Sequence, residues 1–415
     1  MTRLDGLWRD PTFLRFWAAD TVSVFGSLIT RIALPFTAIL LLDASAFDMS
    51  LLVAADLVPS CVVVLAVGVW VDRLRRLPLM IASDVMRAAV LISVPIAAMF
   101  DVLTLGQLYV VSFVTSVLTV LFNVAQVSIL PALVSREHLL EANSKTAATQ
   151  SVSEIGAFGI GGWLVQLLGG PGAMLIDAAS FLASALLLRG LGENELPTAA
   201  DGRPGMRQEI VAGLDYLWRQ PLLRATTVAS AAGWFGFGIF GTIISLFALK
   251  ELGFEAGPLA MIFAVGGVSS LAGSVVARPV TRTLGVGLAM ILGLLVTGLL
   301  LLPLTAARGH GTWAAVCLLV QQLGDGAALV FLINEVSLRQ TIVAPGLMGR
   351  VNSSTEFLRS IARLSGVLVA GLAGETIGLR ATLGLGGAVV TLGALVLALT
   401  SVRSLKTMPS SAIPA

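Results

Sequence analysis

Several acidic residues lie inside long apolar stretches of the sequence, among them the four residues Asp20, Asp56, Glu154 and Asp325. A charged side chain at the centre of a membrane-spanning helix costs about 2.5–3.5 kcal/mol on insertion scales, so acidic residues kept there often mark proton or ion pathways. We therefore predict these four as proton-coupling residues. For Asp56 the alternative is a structural ion pair with Arg31, and for Glu154 it is a polar contact that holds a glycine-rich helix in place.

A second set of residues combines the side chains that would hold an amphipathic molecule. Arginines attract an anionic group, amides donate and accept hydrogen bonds, and large aromatic rings supply apolar surface. Interface anchoring and helix packing are the alternative for the aromatic residues. The predicted substrate-cavity residues are Arg31, Asn123, Gln126, Trp234, Phe235 and Arg363.

Several other charges inside apolar stretches have a structural explanation. Glu335 and Arg339 are four residues apart, the spacing at which opposite charges pair on a helix. Glu356 and Arg359 are predicted to be structural near the entrance of their helix, and Asp177 is predicted to be structural as well.

Composition shows which elements must position these residues. Of the 415 residues, 56% are hydrophobic and only 12% are charged, with a mean hydropathy of +0.93. Soluble domains carry about 25% charged residues, so this is a polytopic membrane protein whose main environment is the lipid bilayer. The net charge of +2 is too small to indicate a nucleic-acid partner. No phosphate-binding loop, metal cluster, nucleophile–base pair or dinucleotide loop stands out. We therefore expect neither an enzyme nor a cofactor.

The apolar stretches are long enough for twelve membrane-spanning helices, because a span needs about 20 residues. We expect an all-α fold of two six-helix bundles, residues 1–191 and 223–415, joined by a cytoplasmic linker, residues 192–222, with a short amphipathic helix. The predicted spans are 16–42, 49–71, 78–100, 104–131, 145–168, 172–191, 223–249, 258–279, 286–306, 312–337, 354–375 and 380–402.

The distribution of Lys and Arg predicts the orientation of these spans. Most of the 26 basic residues lie in the two termini and in alternate loops, whereas the opposite loops hold Lys250, Arg308 and Arg380. Basic residues concentrate on the cytoplasmic side. Both termini are therefore predicted to be cytoplasmic.

The two halves of the sequence resemble each other at an offset near 209 residues. DPTFLR (10–15) corresponds to QPLLR (220–224), and EANSKT (141–146) to GRVNSST (349–355). The same offset pairs Gly162 with Gly371 and Gly169 with Gly378. Like-oriented repeats predict two bundles related by an axis along the membrane normal, with a site between them.

One stretch carries a concentrated charge cluster between spans 2 and 3. GVWVDRLRRLPL (68–79) has one acid and three arginines between Asp72 and Arg76. It is similar to the loop G-x-x-x-D-R-x-x-R-R of the major facilitator superfamily, and the chain resembles that family's bacterial twelve-span drug and siderophore exporters. DVMRA (84–88), VSLRQ (336–340) and GLRAT (378–382) are similar to the same branch.

The resemblance implies a conformational latch formed by Gly68, Asp72, Arg73, Arg76 and Arg350. Two positions depart from the family pattern. Ala157 stands where exporters often have proline, and span 4 has Asn123 and Gln126 where many proton-coupled exporters have a buried arginine.

These observations predict a secondary active transporter in the inner membrane. It would export small amphipathic drug-like or natural-product molecules in exchange for protons, and would work as a monomer. The alternatives are an uptake symporter for a metabolite and a lysophospholipid flippase, because one fold can support many functions.

Overall fold

A computed structural model describes residues 7–71, 75–135, 138–191, 206–309 and 311–409, and these residues form an all-helical fold. The loop residues Asp72 and Arg73 lie outside the described residues. The helices are α1 (Pro11–Leu41), α2 (Ala46–Val71), α3 (Arg76–Met99), α4 (Leu105–Leu133), α5 (Leu139–Arg189), α6 (Met206–Arg219), α7 (Pro221–Leu246), α8 (Ala256–Leu284), α9 (Val286–Leu301), α10 (Thr312–Ile342), α11 (Met348–Thr376) and α12 (Leu379–Ala398).

The helices account for the twelve predicted spans. Among the described residues, ten helices are long and apolar enough to cross a membrane. One of these, α5, has 51 residues and contains two of the predicted spans, and α2 supplies a further span with 26 residues. The short α6 is the predicted amphipathic helix, and its residues Met206–Arg219 lie between the sixth and seventh spans.

Glycines end helices at equivalent places in the two repeats. Gly169 divides α5 with φ 72° and ψ 163°. Gly378, its predicted repeat partner, separates α11 from α12 with φ 83° and ψ 160°. This left-handed conformation is strained for residues with a Cβ atom, which explains glycine at both positions. The shared conformation supports the internal repeat in the backbone itself.

The chain divides into two compact units. The first contains Met1–Ala44, Ala55–Arg203 and Glu255–Met261, and the second contains Ser45–Ala54, Pro204–Phe254 and Ile262–Ala415. The start of α2 therefore belongs with the second unit and the start of α8 with the first. The domain boundaries at residues 191 and 222 stay a prediction.

In the first unit, α5 packs along α1 and α3. Small residues let α1 and α5 approach closely: a Cβ atom on Gly170 would lie 1.9 Å from Thr37 Oγ1, and one on Gly161 would lie 2.9 Å from Ile32 Cδ1. Helix–helix contacts in membranes depend on such close packing, because lipid chains are as apolar as the helices.

In the second unit, glycines also let helices pack closely. α7 packs against α11 and α12, and a Cβ atom on Gly238 would lie 2.3 Å from the carbonyl oxygen of Arg363. The amphipathic α6 lies on α11, where Gly213 approaches the backbone of Arg350.

The first turns of α2 and α8 are each capped by a helix of the unit to which they belong. Glu375 of α11 accepts a hydrogen bond from the backbone N–H of Phe47, at 3.1 Å. Gln166 of α5 accepts one from the backbone N–H of Gly257, at 2.9 Å. Unpaired N–H groups at a helix start need acceptors, and these two side chains supply them. Gln166 and Glu375 are themselves 209 residues apart.

Candidate functional site

Asp20 is buried inside the first unit, with 6% of its surface exposed. The amide of Gln126 on α4 donates a hydrogen bond to Asp20 Oδ1. One turn earlier on α1, the Trp17 indole donates to Thr149 of α5 at 2.9 Å. The structure thus brings together a predicted proton-coupling residue and a predicted cavity residue.

Arg31 and Asp56 do not form the ion pair considered as the structural alternative. No ion pair joins them, and both side chains are exposed. The reason lies in how α1 packs: Ile32 and Thr37 face the glycines of α5, which leaves Arg31 on an exposed surface. Asp56 is held at its backbone, where its carbonyl oxygen accepts a hydrogen bond from Ser116 of α4.

Glu154 and Asn123 are exposed in the structure. Glu154 is therefore a solvent-accessible carboxylate in this structure, and its role in proton coupling stays a prediction. The glycines of this part of α5 all follow Glu154, beginning at Gly156, and the buried positions near it are Ser153 and Ala157. Glu154 keeps its candidacy only as an accessible carboxylate.

Three residues of the second unit form a cationic and aromatic group. The Arg363 guanidinium lies 6.0 Å from the Trp234 ring centre and 5.4 Å from that of Phe237, distances typical of cation–π contacts. The two rings meet edge to face at 5.6 Å. Arg363 and Trp234 were predicted from the sequence; Phe237 was not. Phe235, also predicted as a cavity residue, packs through its backbone: a Cβ atom on Gly366 would lie 2.1 Å from the Phe235 carbonyl oxygen.

Asp325 is half-buried on α10 and lies against α8. A Cβ atom on Gly266 would be 2.4 Å from Asp325 Oδ2, so glycine at that position makes room for the carboxylate. Gln322, one turn earlier, donates to the carbonyl oxygen of Ile262 on α8 at 3.1 Å.

The predicted Glu335–Arg339 pair is confirmed at 2.9 Å. The structure adds a partner that sequence spacing did not reveal: Arg359 of α11 contacts the other carboxylate oxygen of Glu335 at 2.6 Å and donates to Ser230 of α7 at 3.0 Å. This group therefore ties α7, α10 and α11 together. Its position is notable because Glu335 is 209 residues after Gln126, which binds Asp20 in the first unit.

Sequence reasoning did not predict that Asp84, Arg87 and Asp177 form one buried group in the first unit. Arg87 and Asp84 of α3 form an ion pair, and both are almost fully buried, as is Asp177 of α5. The sequence does contain a pattern that indicates the Asp84–Arg87 pair, because opposite charges three residues apart on a helix can pair.

The structure describes three of the five predicted latch residues. Gly68 lies within α2, Arg76 is the first residue of α3, and Arg350 lies near the start of α11 against α6. Asp72 and Arg73 lie outside the described part of the chain, so the latch stays a prediction.

Comparison with known families identifies the fold. The sequence profile of the Major Facilitator Superfamily matches residues 16–367. The chain belongs to this superfamily. It is therefore a multi-pass membrane protein of a family of transporters.

Relatives within the superfamily include named efflux proteins. The chain is 27% identical over 391 residues to the multidrug efflux pump Tap of Mycolicibacterium fortuitum, covering 90% of this chain and 91% of that protein. It is 24% identical over 388 residues to macrolide efflux protein A of Streptococcus pyogenes, covering 89% and 90%. A bacterial homologue of the iron transporter ferroportin shares the fold, with a TM-score of 0.75, 18% identity and coverage of 95% and 98%.

Proposed function

We propose that this protein exports small amphipathic drug-like or natural-product molecules across the inner membrane, in exchange for protons. The observation that carries the proposal is the similarity to two efflux proteins over about nine-tenths of the chain. A secondary transporter of this superfamily exposes its site alternately to the two sides of the membrane.

The group of Arg363, Trp234 and Phe237 supports an amphipathic substrate. The half-buried Trp234 ring and the exposed Phe237 ring offer an apolar surface, and the guanidinium beside them offers a charge. An anionic or strongly polar group next to a ring system would find both partners in one place. Arg31 and Asn123, which are exposed, are further candidates for polar contacts.

Proton exchange is supported by acidic residues inside spanning helices of both units. Asp20 is buried beside an amide, and Asp325 is half-buried against a glycine. Burying a charged carboxylate costs solvation energy, whereas burying a protonated carboxyl group costs much less. Protonation can therefore bias the equilibrium between conformations.

Transport in proteoliposomes tests both parts of the proposal. Erythromycin, as a macrolide probe, and a panel of anionic and neutral amphipathic compounds are offered with and without an imposed pH gradient. We expect the gradient to drive accumulation, and Asp20→Asn to reduce that accumulation by about 5- to 150-fold, the usual range of a coupling energy. Asp101→Asn is the matched control, because Asp101 is exposed and its positive φ suits asparagine.

Three results would contradict the proposal. Compound movement that ignores the gradient and survives both Asp20→Asn and Glu154→Gln excludes proton exchange at these residues. Movement of a metabolite into cells along with protons favours an uptake symporter. Movement of a fluorescent lysophospholipid between leaflets, with no transport of the panel, favours a flippase.

A further inference from the structure

A buried charge cluster in the first unit has no part in the proposed substrate site. It consists of Asp84 and Arg87 of α3 and Asp177 of α5, with exposed fractions of 0%, 2% and 1%. Charged residues are almost never buried this completely unless their charges are compensated. The balance of positive and negative charges inside the cluster therefore indicates whether each carboxylate is compensated.

Arg87 is held in place by contacts from three helices. It pairs with Asp84 on its own helix and donates to Thr119 Oγ1 of α4 at 3.3 Å. Its guanidinium lies 4.0 Å from the ring centre of Phe181 on α5 and 4.6 Å from that of Phe122 on α4. The cation is fixed, and Asp84 is its direct counter-ion.

Asp177 lies beside this ion pair but does not complete a second one. It precedes Phe181 by one turn of α5 and interacts electrostatically with Arg87 and Asp84. No cation comes within 4.0 Å of its carboxylate among the described residues. Its polar neighbours are Ser180, whose hydroxyl donates to Asp177 Oδ1 at 3.1 Å, and the hydroxyl of Thr30 on α1.

The Asp177 side chain also packs closely against α1. A Cβ atom on Gly26 would lie 2.6 Å from Asp177 Oδ1 and 2.1 Å from Ser180 Oγ. The carboxyl group therefore fills the space left by a glycine, in the interior of the helix bundle. It has no room for the hydration that an ionised carboxylate needs.

The charged groups that face Asp177 leave an excess of negative charge. These groups are Asp84 and Arg87 of α3, and Asp84 in turn interacts electrostatically with Asp20 of α1. The described helix α4 contributes the neutral Thr119 and Phe122. One arginine thus faces two buried carboxylates, Asp84 and Asp177. Each unpaired buried ion costs several kcal/mol, and binding a proton removes that cost.

We propose that Asp177 is a proton-binding residue of the transport cycle, positioned beside a permanent Asp84–Arg87 pair. The proton binds to a carboxylate oxygen of Asp177 and leaves from the same atom, so no other reactant is needed. This inference rests on the proposed proton exchange. It differs from the sequence prediction, in which Asp177 is structural, and it assigns coupling to a residue outside the substrate group.

Infrared spectroscopy of the purified full-length protein in dodecyl maltoside, a detergent without carbonyl groups, tests the presence of the proton. A protonated carboxyl group has a C=O stretch that carboxylates and carboxamides do not share. We expect this band in the wild type at neutral pH, and a loss of intensity in Asp177→Asn. Ser180→Ala is the matched control and keeps the band, because it removes the hydroxyl neighbour but not the carboxyl group. An unchanged band in Asp177→Asn would overturn the proposal.

Transport of radiolabelled erythromycin in proteoliposomes tests whether the proton is used. Asp177→Asn should keep exchange of labelled for unlabelled compound without a gradient, and should lose gradient-driven accumulation by about 5- to 150-fold. Accumulation at the wild-type level would refute the role of Asp177. If asparagine prevents folding, the smaller Asp177→Ser should give the same split between exchange and accumulation.

The wild-type protein separates this proposal from the one on which it rests. If the wild type ignores the gradient, proton exchange itself is wrong and both proposals fail. If the wild type follows the gradient and the Asp177 variants do too, only the assignment to Asp177 fails. Loss of exchange as well as accumulation in a folded variant would place Asp177 in the substrate path and would also refute the assignment.

Discussion

At the scale of single residues, one buried carboxylate in the second unit compensates the charges of two arginines. Glu335 is 2% exposed and contacts Arg339 at 2.9 Å and Arg359 at 2.6 Å. Glu356 also contacts Arg359, at 3.6 Å, but its side chain is 69% exposed. Because water screens an exposed pair, only Glu335 contributes strongly to compensating the buried arginines.

We therefore predict that Glu335→Gln destabilises the protein by about 3–5 kcal/mol, because it leaves buried arginines without their counter-ion. The thermal unfolding midpoint in detergent should fall markedly. Glu356→Gln is the matched control on the same arginine, with an expected change within about 0.5 kcal/mol. Equal shifts in the two variants would show that burial does not decide the energy of these ion pairs.

The same residues show what the sequence could not predict. The Glu335–Arg339 pair follows from spacing on one helix. The contacts of Glu335 with Arg359, and of Arg87 with Phe181, join different helices. Such contacts depend on how each helix is rotated about its axis, which is set by side-chain packing rather than by the length of an apolar stretch. For the same reason the sequence could not decide whether Arg31 pairs with Asp56.

At the scale of helices, glycine positions decide where two spans come close. In α5, a Cβ atom on Gly162 would lie 2.2 Å from Ala260 Cβ and 2.5 Å from the carbonyl oxygen of Ala256. Three residues earlier, a Cβ atom on Gly159 would have no neighbour within 4 Å. The sequence predicted the importance of Gly162 through its repeat partner Gly371, which in turn approaches Ser50 of α2.

We predict opposite effects for the two glycines of α5. Gly162→Ala should destabilise the protein by about 1–3 kcal/mol, because the added methyl group overpacks the contact with α8. Gly159→Ala should stabilise it by up to about 1 kcal/mol, because alanine favours a helix more than glycine does. Unfolding midpoints of the two variants under identical detergent conditions test this difference. A destabilising Gly159→Ala would mean that a general requirement for glycine, and not the contact with α8, explains the pattern.

At the scale of the whole molecule, apolar length and the internal repeat predicted most of the architecture. The twelve spans, the helix of the linker and the break at Gly169 all follow from stretches that the sequence displays directly. The repeat holds beyond sequence similarity, because Gly169 and Gly378 share one backbone conformation and Gln166 and Glu375 cap equivalent helix starts. The orientation of the chain in the membrane, by contrast, depends on loop charges alone.

That orientation can be tested with two introduced cysteines after replacement of Cys61 and Cys317 by serine. Ala306 and Ser404 are both exposed, and the three helices α10, α11 and α12 lie between them, so an odd number of crossings places them on opposite sides. The scarcity of Lys and Arg in the loops on the side of Ala306 predicts that this side is external. A membrane-impermeant maleimide should label Ala306→Cys in intact cells and Ser404→Cys only after lysis. Labelling of Ser404→Cys in intact cells would reverse the topology, and labelling of both would mean that one of the three helices does not cross the membrane.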